Sequence, residues 1–339
     1  MALILKVNTQ IIRENILKIK EKIGDTKFCA VVKANAYGVG IDLVKYIDDC
    51  VNYYAVSCVS EANQLSSLTK KQIIVLSPPS IDEIMQINSS QIEFAVDDIG
   101  VVKKLTKINK DFYVHIAVNT GMNRFGVNEK VLIDICKEIK SANNIFVKGI
   151  FSHFWGEDEI SHDGQSKLFN NCCRLLKRFF PNAICHISNT SGIFYHYDMV
   201  RVGIGLYERD DYKCLKLISK VSKIQSLSKG DSAGYGAKFV AKRKTKIAAV
   251  KVGYGDGITR NMVGYNVLIN GKLCKIVAVC MDAILVDASH ANVHNNDEVI
   301  ICTFNKKELS ICNLAKHCDT ISYEILTRLT SRVTRIYER

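Results

Sequence analysis

The sequence predicts an α/β protein in which an N-terminal (β/α)8 TIM barrel is followed by a C-terminal, mostly β domain. Up to about residue 210, short strand-like segments alternate with helical stretches, which is the pattern of repeated βα units. Beyond Asp211 alternating strand-like segments replace the helices. The chain has 339 residues, of which 47% are hydrophobic and 24% are charged, so it can bury one large core or two smaller ones.

Eight segments rich in Val, Ile and aromatic residues are the predicted barrel strands. They lie near residues 28–33, 53–58, 72–77, 92–96, 112–118, 146–152, 183–188 and 199–204. The helical stripe from Gln165 to Phe180 must end before Pro181, because proline disfavours α geometry in the residue before it. In a barrel of this kind the active site forms at the carboxyl ends of the strands, so candidate residues are expected there.

The predicted domain boundaries are 1–211 for the barrel and 212–339 for the β domain. The first strand, about residues 1–8, is expected to join the β domain. The Asn270-Gly271 pair between two apolar segments predicts a tight hairpin turn. One short helical stretch, roughly 307–317, interrupts the strands of this domain.

Composition excludes several classes of function. The formal net charge is +12, but the lysines are spread along the chain without interleaved aromatic residues, so nucleic-acid binding would rest on charge alone. No apolar run approaches the ~20 residues that a bilayer crossing needs. The GYGDG segment at 253–257 is followed by a strand-like segment instead of a helix, which argues against a dinucleotide loop.

The thirteen cysteines indicate a reducing compartment. Apart from the adjacent Cys172 and Cys173, most sit singly inside apolar segments instead of framing loops, so we expect reduced core residues and a cytoplasmic protein. Cys312, His317 and Cys318 form a cluster that resembles a metal site, but no second cysteine pair at zinc spacing accompanies it. No metal is therefore expected.

The segment AVVKANAYGVG, residues 30–40, carries the first chemical signal. An apolar strand delivers Lys33 to its carboxyl end, where a glycine-bearing loop follows. Apolar surroundings lower the pKa of a lysine, and the freed amine can form a Schiff base with an aldehyde cofactor.

Further segments follow in a fixed order over nearly the whole chain. They are NTGMNRFG (119–126), SHF (152–154), HISNTSG (186–192), MVRVGIGLY (199–207), AGYGAK (233–238), VGYGDG (252–257), CMD (280–282) and YEILTRLTSRVTRIY (323–337). Together with the lysine segment, this ordered set resembles the alanine racemase family. The resemblance implies a barrel joined to a β domain, pyridoxal 5'-phosphate as cofactor, and head-to-tail homodimers that share their active sites.

The resemblance also implies roles for individual residues. Lys33 carries the cofactor and is one of two catalytic bases, and Tyr235 is the other. His153 and Arg201 form a supporting network that favours the phenolate of Tyr235, and Arg201 contacts the pyridine nitrogen. Two bases suit a racemisation, because the proton must leave one face of the α-carbon and return to the opposite face.

The remaining implied site residues bind the cofactor, bind the substrate or narrow the entrance. The cofactor would contact Tyr37, Asn189, Thr190, Gly203, Ile204 and Tyr323. The substrate carboxylate would meet Arg124 and the backbone amide of Met281, since a guanidinium fork suits a carboxylate. Tyr254 and Tyr323 would favour a small side chain, hence alanine, and the product D-alanine would serve peptidoglycan precursors.

The chain departs from the family pattern beside Arg124. Ala117 stands where many members carry a carbamate-modified lysine that orients this arginine, and Asn119 stands where aspartate is common. Both replacements are neutral. We therefore predict that a bound anion such as chloride, or a different local acid, supports Arg124.

Other functions stay open at this point. A racemase of the same fold acting on serine or on several amino acids is disfavoured only by Tyr254 and Tyr323. Amino-acid decarboxylases share the two-domain architecture, but their glycine-triplet phosphate loop and C-terminal cysteine-aspartate arrangement are not found in matching context. A non-catalytic pyridoxal-phosphate homeostasis protein would not need the β domain or Tyr235.

Overall fold

The computed structural model describes residues 3–156, 158–208 and 212–339, which form two compact units. The barrel unit consists of residues 16–36 and 44–206. The β unit consists of the described residues of 1–15, 37–43 and 207–339. Residues 37–43 thus group with the β unit, although the sequence assigned them to the barrel, and the expected boundary at residue 211 lies outside the described residues.

The chain begins with strand β1 (Ile4–Asn8) and helix α1 (Thr9–Ile23), after which eight barrel strands follow. These strands are β2 (Lys27–Val31), β3 (Tyr53–Val56), β4 (Gln72–Val75), β5 (Ile92–Val96), β6 (Phe112–Ala117), β7 (Ile145–Phe151), β8 (Ile184–His186) and β9 (Met199–Val202). All eight predicted strands are confirmed, because each is apolar enough to be buried between the helices and the barrel interior.

The barrel sheet is parallel and runs in the order β8-β7-β6-β5-β4-β3-β2-β9. Backbone hydrogen bonds also join its two end strands, from Asp198 N to Cys185 O and from Arg201 N to Ser188 O, both at 3.0 Å. The eight strands therefore form a nearly closed ring, which confirms the predicted barrel.

Helices connect the barrel strands. They are α2 (Val44–Ile47), α3 (Val59–Ser66), α4 (Ile81–Met85), α5 (Ile99–Leu105), α6 (Glu129–Lys140) and α7 (Glu159–Lys177). In α6 the buried residues Leu132, Ile135, Cys136 and Ile139 repeat at helical spacing and form one apolar face. Helix α7 begins at an Asp158 cap that accepts a hydrogen bond from Ser161 N, and it ends before Pro181 as expected.

The β unit contains nine further strands and two helices in its described part. They are β10 (Leu215–Leu227), β11 (Ser232–Ala233), β12 (Phe239–Val240), β13 (Thr245–Val250), β14 (Asn266–Ile269), β15 (Lys272–Val279), β16 (Ile284–Asp287), β17 (Glu298–Cys302), α8 (Ile311–His317), α9 (Ser322–Thr327) and β18 (Thr334–Glu338). Short 3-10 turns occur in both units: Asp48–Cys50 and Ile204–Leu206 in the barrel unit, and Ile41–Leu43, Tyr235–Ala237, Tyr254–Asp256, Arg260–Met262 and Lys307–Leu309 in the β unit.

The main sheet of the β unit runs β13-β16-β15-β14-β17-β10-β1-β18, and β10 also pairs with β13. The first strand, β1, lies in this sheet between β10 and β18. The predicted hairpin is confirmed: β14 and β15 pair across Asn270 and Gly271, whose φ angles are 48° and 77°. Helix α9 was not predicted, because six residues are too few for a periodic pattern.

None of the helices in the described part of the chain combines the length and the apolar character that a bilayer crossing requires. The described residues likewise include no group of three His, Cys, Asp or Glu side chains arranged to hold a metal ion.

Candidate active site

Four predicted site residues of the barrel unit line one cavity. Lys33 follows β2, Arg124 lies in the loop after β6, His153 follows β7, and Arg201 lies on β9. The cavity measures about 180 Å³. Its remaining lining residues are Ser57, Leu76, Ser77, Ala117, Val118, Asn119, Met122, Phe125, Phe151 and Ser152. Residues up to 168 positions apart in the chain thus meet at the carboxyl ends of the strands, where barrel enzymes carry their active sites.

The environment of Lys33 favours the neutral amine. Burial lowers the pKa of this lysine, and the charges of Arg124 and Arg201 lower it further. Glu61 acts in the opposite direction. A lowered pKa raises the share of the unprotonated amine, which is a nucleophile and a base, the two properties that a carbonyl cofactor and a proton transfer require.

The backbone after Lys33 adopts a left-handed turn. Ala34, Asn35, Ala36 and Tyr37 have φ angles between 52° and 55°, a region in which L-residues are strained. Glu61 stabilises the start of this turn, because its two carboxylate oxygens accept hydrogen bonds from Ala34 N (2.7 Å) and Ser57 N (2.9 Å). The sequence analysis missed this residue, since an acidic residue in the first turn of a helix is common.

Arg201 is buried and holds several parts of the barrel together. Its NH1 group donates to His186 Nδ1 and to His186 O, both at 2.8 Å. Its NH2 group donates to Ser152 O at 2.7 Å and faces His153 Nδ1 at 3.4 Å. Burial lowers the pKa of Arg201 to about 10, so the guanidinium remains charged at neutral pH.

The bonds of Arg201 continue into a chain of buried polar side chains. His186 Nε2 lies 2.8 Å from His115 Nδ1, and His115 Nε2 lies 2.6 Å from Glu93 Oε2. A guanidinium can only donate, so His186 Nδ1 must accept and its proton must sit on Nε2. The same reasoning puts the proton of His115 on Nε2, facing the Glu93 carboxylate.

This chain therefore has one direction, with every proton donated from Arg201 towards Glu93. Burial and the charge of Arg201 lower the pKa of His186 well below its ordinary value, in agreement with a neutral ring. The ring of Phe151 stacks on His186 with centroids 5.4 Å apart. The arrangement pairs a buried cation with a distant buried anion, and it holds the guanidinium of Arg201 in one orientation.

His153 is electrically neutral in this site. Burial, and to a smaller extent the charge of Arg201, lower the pKa of His153 to about 3. The charges of Arg124 and Lys33 act in the same direction. Its Nδ1 faces the donor NH2 of Arg201, so its proton is on Nε2. His153 is thus a hydrogen-bond donor on its outer side, able to stabilise an oxygen anion.

The loop that carries Arg124 is shaped by Asn119. The Asn119 Oδ1 atom accepts hydrogen bonds from Gly121 N (2.9 Å) and Asn123 N (3.1 Å). Asp97 contacts the end of the same loop through the backbone of Gly126, whose N donates to Asp97 Oδ2 at 3.0 Å. Arg124 is an exposed residue, and the anion or local acid predicted beside it stays a prediction.

Ala117, the last residue of β6, brings a methyl group and no charge to the wall of the cavity. Ala117 packs with Ala95, Phe151 and Leu76 in a small apolar cluster at the cavity wall. A methyl group fits this cluster, and it offers no anionic partner to Arg124, which lines the same cavity.

Four predicted cofactor contacts lie in the barrel unit. Thr190 Oγ1 accepts a hydrogen bond from Gly205 N at 3.4 Å, next to Gly203 and Ile204. Asn189 is engaged with backbone groups, since its Nδ2 donates to Phe154 O at 3.2 Å. The first contact holds the segment after β8 against the segment after β9, and the second holds it against the segment after β7, so that a hydroxyl lies beside a turn of backbone.

Five predicted residues lie in the β unit. The rings of Tyr37 and Tyr323 meet edge to face with centroids 6.1 Å apart, and burial raises the pKa of Tyr37. Tyr254 and Met281 are brought side by side, because Tyr254 N donates to Cys280 O (3.0 Å) and Gly255 N donates to Met281 O (2.9 Å). Tyr235 lies between β11 and β12, and its side chain is 74% exposed.

Comparison with known proteins gives this geometry a family. The model of the alanine racemase N-terminal domain matches residues 7–211, and that of the C-terminal domain matches residues 214–337. An alanine racemase of Vesicomyosocius okutanii is 35% identical over 98% of both chains. One of Francisella philomiragia is 34% identical over 98% of this chain and 99% of its own.

Solved structures agree. The alanine racemase of Clostridium difficile is 28% identical, covers 100% of this chain and 96% of its own, and superposes with a TM-score of 0.90. The Bacillus anthracis enzyme with bound L-Ala-P has 28% identity, coverage of 100% and 95%, and a TM-score of 0.92. The Bartonella henselae enzyme with covalently bound pyridoxal phosphate has 25% identity, full coverage of both chains and a TM-score of 0.88. From the matches of sequence and of fold together, the chain belongs to the alanine racemase family.

Proposed function

We propose that this chain interconverts L-alanine and D-alanine by passing the α-proton between two bases, Lys33 and Tyr235. Racemase activity with pyridoxal phosphate follows from membership of the family. The assignment of the two bases and of the residues around them is our inference. The observation that carries it is the meeting of Lys33, Arg124, His153 and Arg201 around one cavity.

Lys33 in this cavity and further donors of the barrel unit fit pyridoxal phosphate. Lys33 offers an amine whose pKa is lowered, which suits a covalent link to an aldehyde. Thr190 and the turn at Gly203 and Ile204 offer a hydroxyl and backbone amides for a phosphate. A Cβ atom at Gly205 would lie 2.7 Å from Thr190 Cγ2, so the backbone passes close to that hydroxyl.

The cofactor, when bound, supplies the electron sink that makes the α-proton of an amino acid removable. Arg201 would donate a hydrogen bond to the pyridine nitrogen of the cofactor. Because the guanidinium keeps its proton, that nitrogen would stay unprotonated, which makes the cofactor a weaker electron sink. A weak sink suits an enzyme that exchanges one proton and performs no further chemistry. Arg124, in turn, would hold the substrate carboxylate in the cavity.

Lys33 would take and return the proton on one face of the α-carbon, and Tyr235 would do so on the other. Tyrosine is a poor base at neutral pH, since its ordinary pKa is about 10. The outward-facing Nε2–H of His153 offers a hydrogen bond that stabilises a phenolate and lowers this barrier. We infer that Tyr235 reaches this donor from a second copy of the chain, in a homodimer with shared sites.

Exchange in heavy water tests the two-base assignment. The protein is incubated with L-alanine or D-alanine in deuterium oxide, and both the chirality and the α-deuterium content are followed. Wild type should scramble the centre and incorporate deuterium. The Lys33→Ala variant should lose the bound chromophore, and the Tyr235→Phe variant should be severely impaired from at least one enantiomer.

Matched controls separate these losses from general damage. Lys27→Ala removes an exposed lysine at the other end of the same strand, and Tyr113→Phe removes a hydroxyl from a half-buried tyrosine near the start of β6. Both controls should racemise alanine like wild type. Full activity of Tyr235→Phe from both enantiomers would remove the second base from the proposal.

Mixing the two inactive variants tests the shared site. Subunits of Lys33→Ala and Tyr235→Phe are unfolded together and refolded. If each site combines Lys33 of one chain with Tyr235 of the other, then random pairing leaves about a quarter of all sites intact. Activity should return to about that level, whereas sites built within one chain would stay inactive.

Substrate range distinguishes the remaining possibilities. Rates of α-proton exchange on L-alanine, L-serine and L-lysine should favour alanine, since Tyr254 and Tyr323 would narrow the entrance. Equal rates would indicate a broad-specificity racemase, and a yellow protein inert to every amino acid would indicate a cofactor carrier. We also propose a cytoplasmic enzyme that supplies D-alanine, without nucleic-acid or membrane partners.

A further inference from the structure

Gln165 on helix α7 is a buried side chain that touches several functional segments. It is 3% exposed. Its Nε2 donates to Thr120 Oγ1 and to His153 O, both at 2.9 Å, and its Oε1 accepts from Trp155 N at 3.0 Å. A carboxamide has two N–H donors and one acceptor oxygen, so both donors and the oxygen are engaged.

The bonds of Gln165 extend into the loop that carries Arg124. Thr120 lies in that loop, and its hydroxyl is 2.8 Å from Ser152 Oγ. Thr120 Oγ1 has two lone pairs, so it can accept from Gln165 and still share a hydrogen bond with Ser152, in which either hydroxyl can donate. The backbone carbonyl of Ser152 accepts from Arg201 NH2 at 2.7 Å. One amide thus joins the arginine loop to the segment of His153.

Trp155 also connects the Arg124 loop and the segment of His153. Its backbone N is bound by Gln165, and a Cβ atom at Gly121 would lie 3.4 Å from its indole Nε1. The indole therefore rests against the loop of Arg124, while its backbone belongs to the segment of His153. Trp155 is 57% exposed and is the only tryptophan of the chain, so its fluorescence reports on the order of both segments.

We propose that Gln165 is a positioning residue that sets the relative placement of Arg124 and His153, and through them of the substrate carboxylate and of the second base. The inference rests on the function proposed above and deepens it. An amide is required because the two acceptors, a hydroxyl and a carbonyl, both need a donor. A side chain of the same size without donors would remove both bonds, which takes the Gln165 partner from His153 O and leaves Thr120 Oγ1 with its contact to Ser152 Oγ.

Two substitutions separate the donor role from the space that Gln165 fills. Gln165→Met keeps the volume and removes all three hydrogen bonds. Gln165→Glu keeps the shape and the acceptor for Trp155 N, but the ionised carboxylate cannot donate to Thr120 or to His153 O. When the carboxyl is protonated, one donor returns.

The matched control is Gln91→Met. Gln91 is also a glutamine whose Nε2 donates twice, to Thr69 O at 3.1 Å and to Lys71 O at 3.2 Å. It precedes β5, at the amino ends of the barrel strands and away from the cavity. Loss of its bonds should lower stability without disturbing the site.

The first readout is independent of activity. Acrylamide quenching and anisotropy of Trp155 fluorescence are measured for wild type and the three variants, all loaded with pyridoxal phosphate. We expect higher quenching and lower anisotropy for Gln165→Met than for wild type, and wild-type values for Gln91→Met. Unchanged fluorescence in Gln165→Met would overturn the proposal, because the amide would then not hold this segment.

The second readout is steady-state racemisation. Misplacement of reacting groups by about 1 Å can cost on the order of a hundredfold in rate. We expect Gln165→Met to raise KM for alanine and to lower kcat, with kcat/KM reduced about tenfold or more, while Gln91→Met stays within about twofold of wild type. For Gln165→Glu, kcat/KM relative to wild type should rise as the pH falls, and Gln165→Met should show no such rise.

The outcomes distinguish the two proposals. If wild type racemises alanine and Gln165→Met matches Gln91→Met in both readouts, Gln165 has no positioning role. If Trp155 fluorescence responds as expected but wild type is inert towards every amino acid, the positioning role stands and the proposed function fails. A pH-independent loss in Gln165→Glu equal to that in Gln165→Met would also overturn the donor role.

Discussion

The cofactor-free protein should lose stability in acid through His153. Burial and the neighbouring charge of Arg201 lower the pKa of His153 from 6.5 to about 3 in the folded chain. Between these two values the unfolded chain binds a proton on this side chain and the folded chain does not. The free energy of unfolding therefore falls as the pH drops through this window, and it is unaffected by His153 above it.

The size of the effect follows from the pKa difference. Each pKa unit corresponds to about 1.4 kcal/mol, so lowering the pH from 6.5 to 5 costs the folded protein roughly 2 kcal/mol through this side chain. The His153→Asn variant removes the titration. Its amide oxygen can still accept a hydrogen bond from Arg201 NH2, which His153 Nδ1 faces at 3.4 Å.

Urea unfolding of both proteins at pH 7.5, 6.5, 5.5 and 5 provides the measurement. At pH 7.5 the difference in unfolding free energy reflects only the change of side chain, because His153 is neutral in both states. From pH 6.5 to 5 wild type should lose roughly 2 kcal/mol relative to the variant. A difference that stays constant over the whole range would refute the reasoning, since His153 would then titrate alike in both states.

Three further predictions concern stability. Glu93→Leu should lower the free energy of unfolding by about 3–5 kcal/mol, because it leaves His115 Nε2–H unpaired and Arg201 without its buried counter-charge. Glu93→Gln keeps an acceptor and should lower it by about 1–2 kcal/mol. Equal thermal unfolding of the two variants would contradict this prediction. Lys33→Met should stabilise the cofactor-free protein, because burial lowers the pKa of Lys33 and its charged form therefore destabilises the fold. The gain in unfolding free energy should be largest at low pH and vanish as the pH rises past 10.5. A loss of stability in urea unfolding at neutral pH would count against this prediction. Gly271→Ala should lower the free energy of unfolding in urea by about 1 kcal/mol, because φ is 77° at this residue, and it should leave racemisation unchanged. An unchanged free energy of unfolding would mean that the turn relaxes.

Much of the fold is local information and could be predicted. The eight barrel strands follow from runs of apolar residues between helical stretches, and the β14–β15 hairpin follows from Asn270 and Gly271. Helix α9 escaped prediction because its six residues carry no periodic pattern. The grouping of residues 37–43 with the β unit also escaped, since it depends on contacts distant in sequence.

The candidate site divides in the same way. Ordered motifs pointed to Lys33, His153 and Arg201, because family resemblance preserves residue type and order even where geometry is unknown. Glu93 and His115 gave a weaker signal that could have been used: each is a polar residue inside an otherwise apolar strand. Such a residue needs a buried partner, but its partner cannot be identified from its own strand.

By itself, the sequence determined the strands, the turn residues and the chemistry of the side chains at the strand ends, because these depend on residue type and spacing within a few positions. Only the tertiary structure decided which of those side chains meet. Parallel pairing puts β5 beside β6, β6 beside β7 and β7 beside β8, so that Glu93, His115 and His186 form one buried chain although 71 residues separate the two histidines. The contacts of Gln165 with Thr120 and His153 likewise exist only in the folded barrel, because hydrogen bonds act over about 3 Å. The order of residues along the chain does not reveal which distant groups come within that distance.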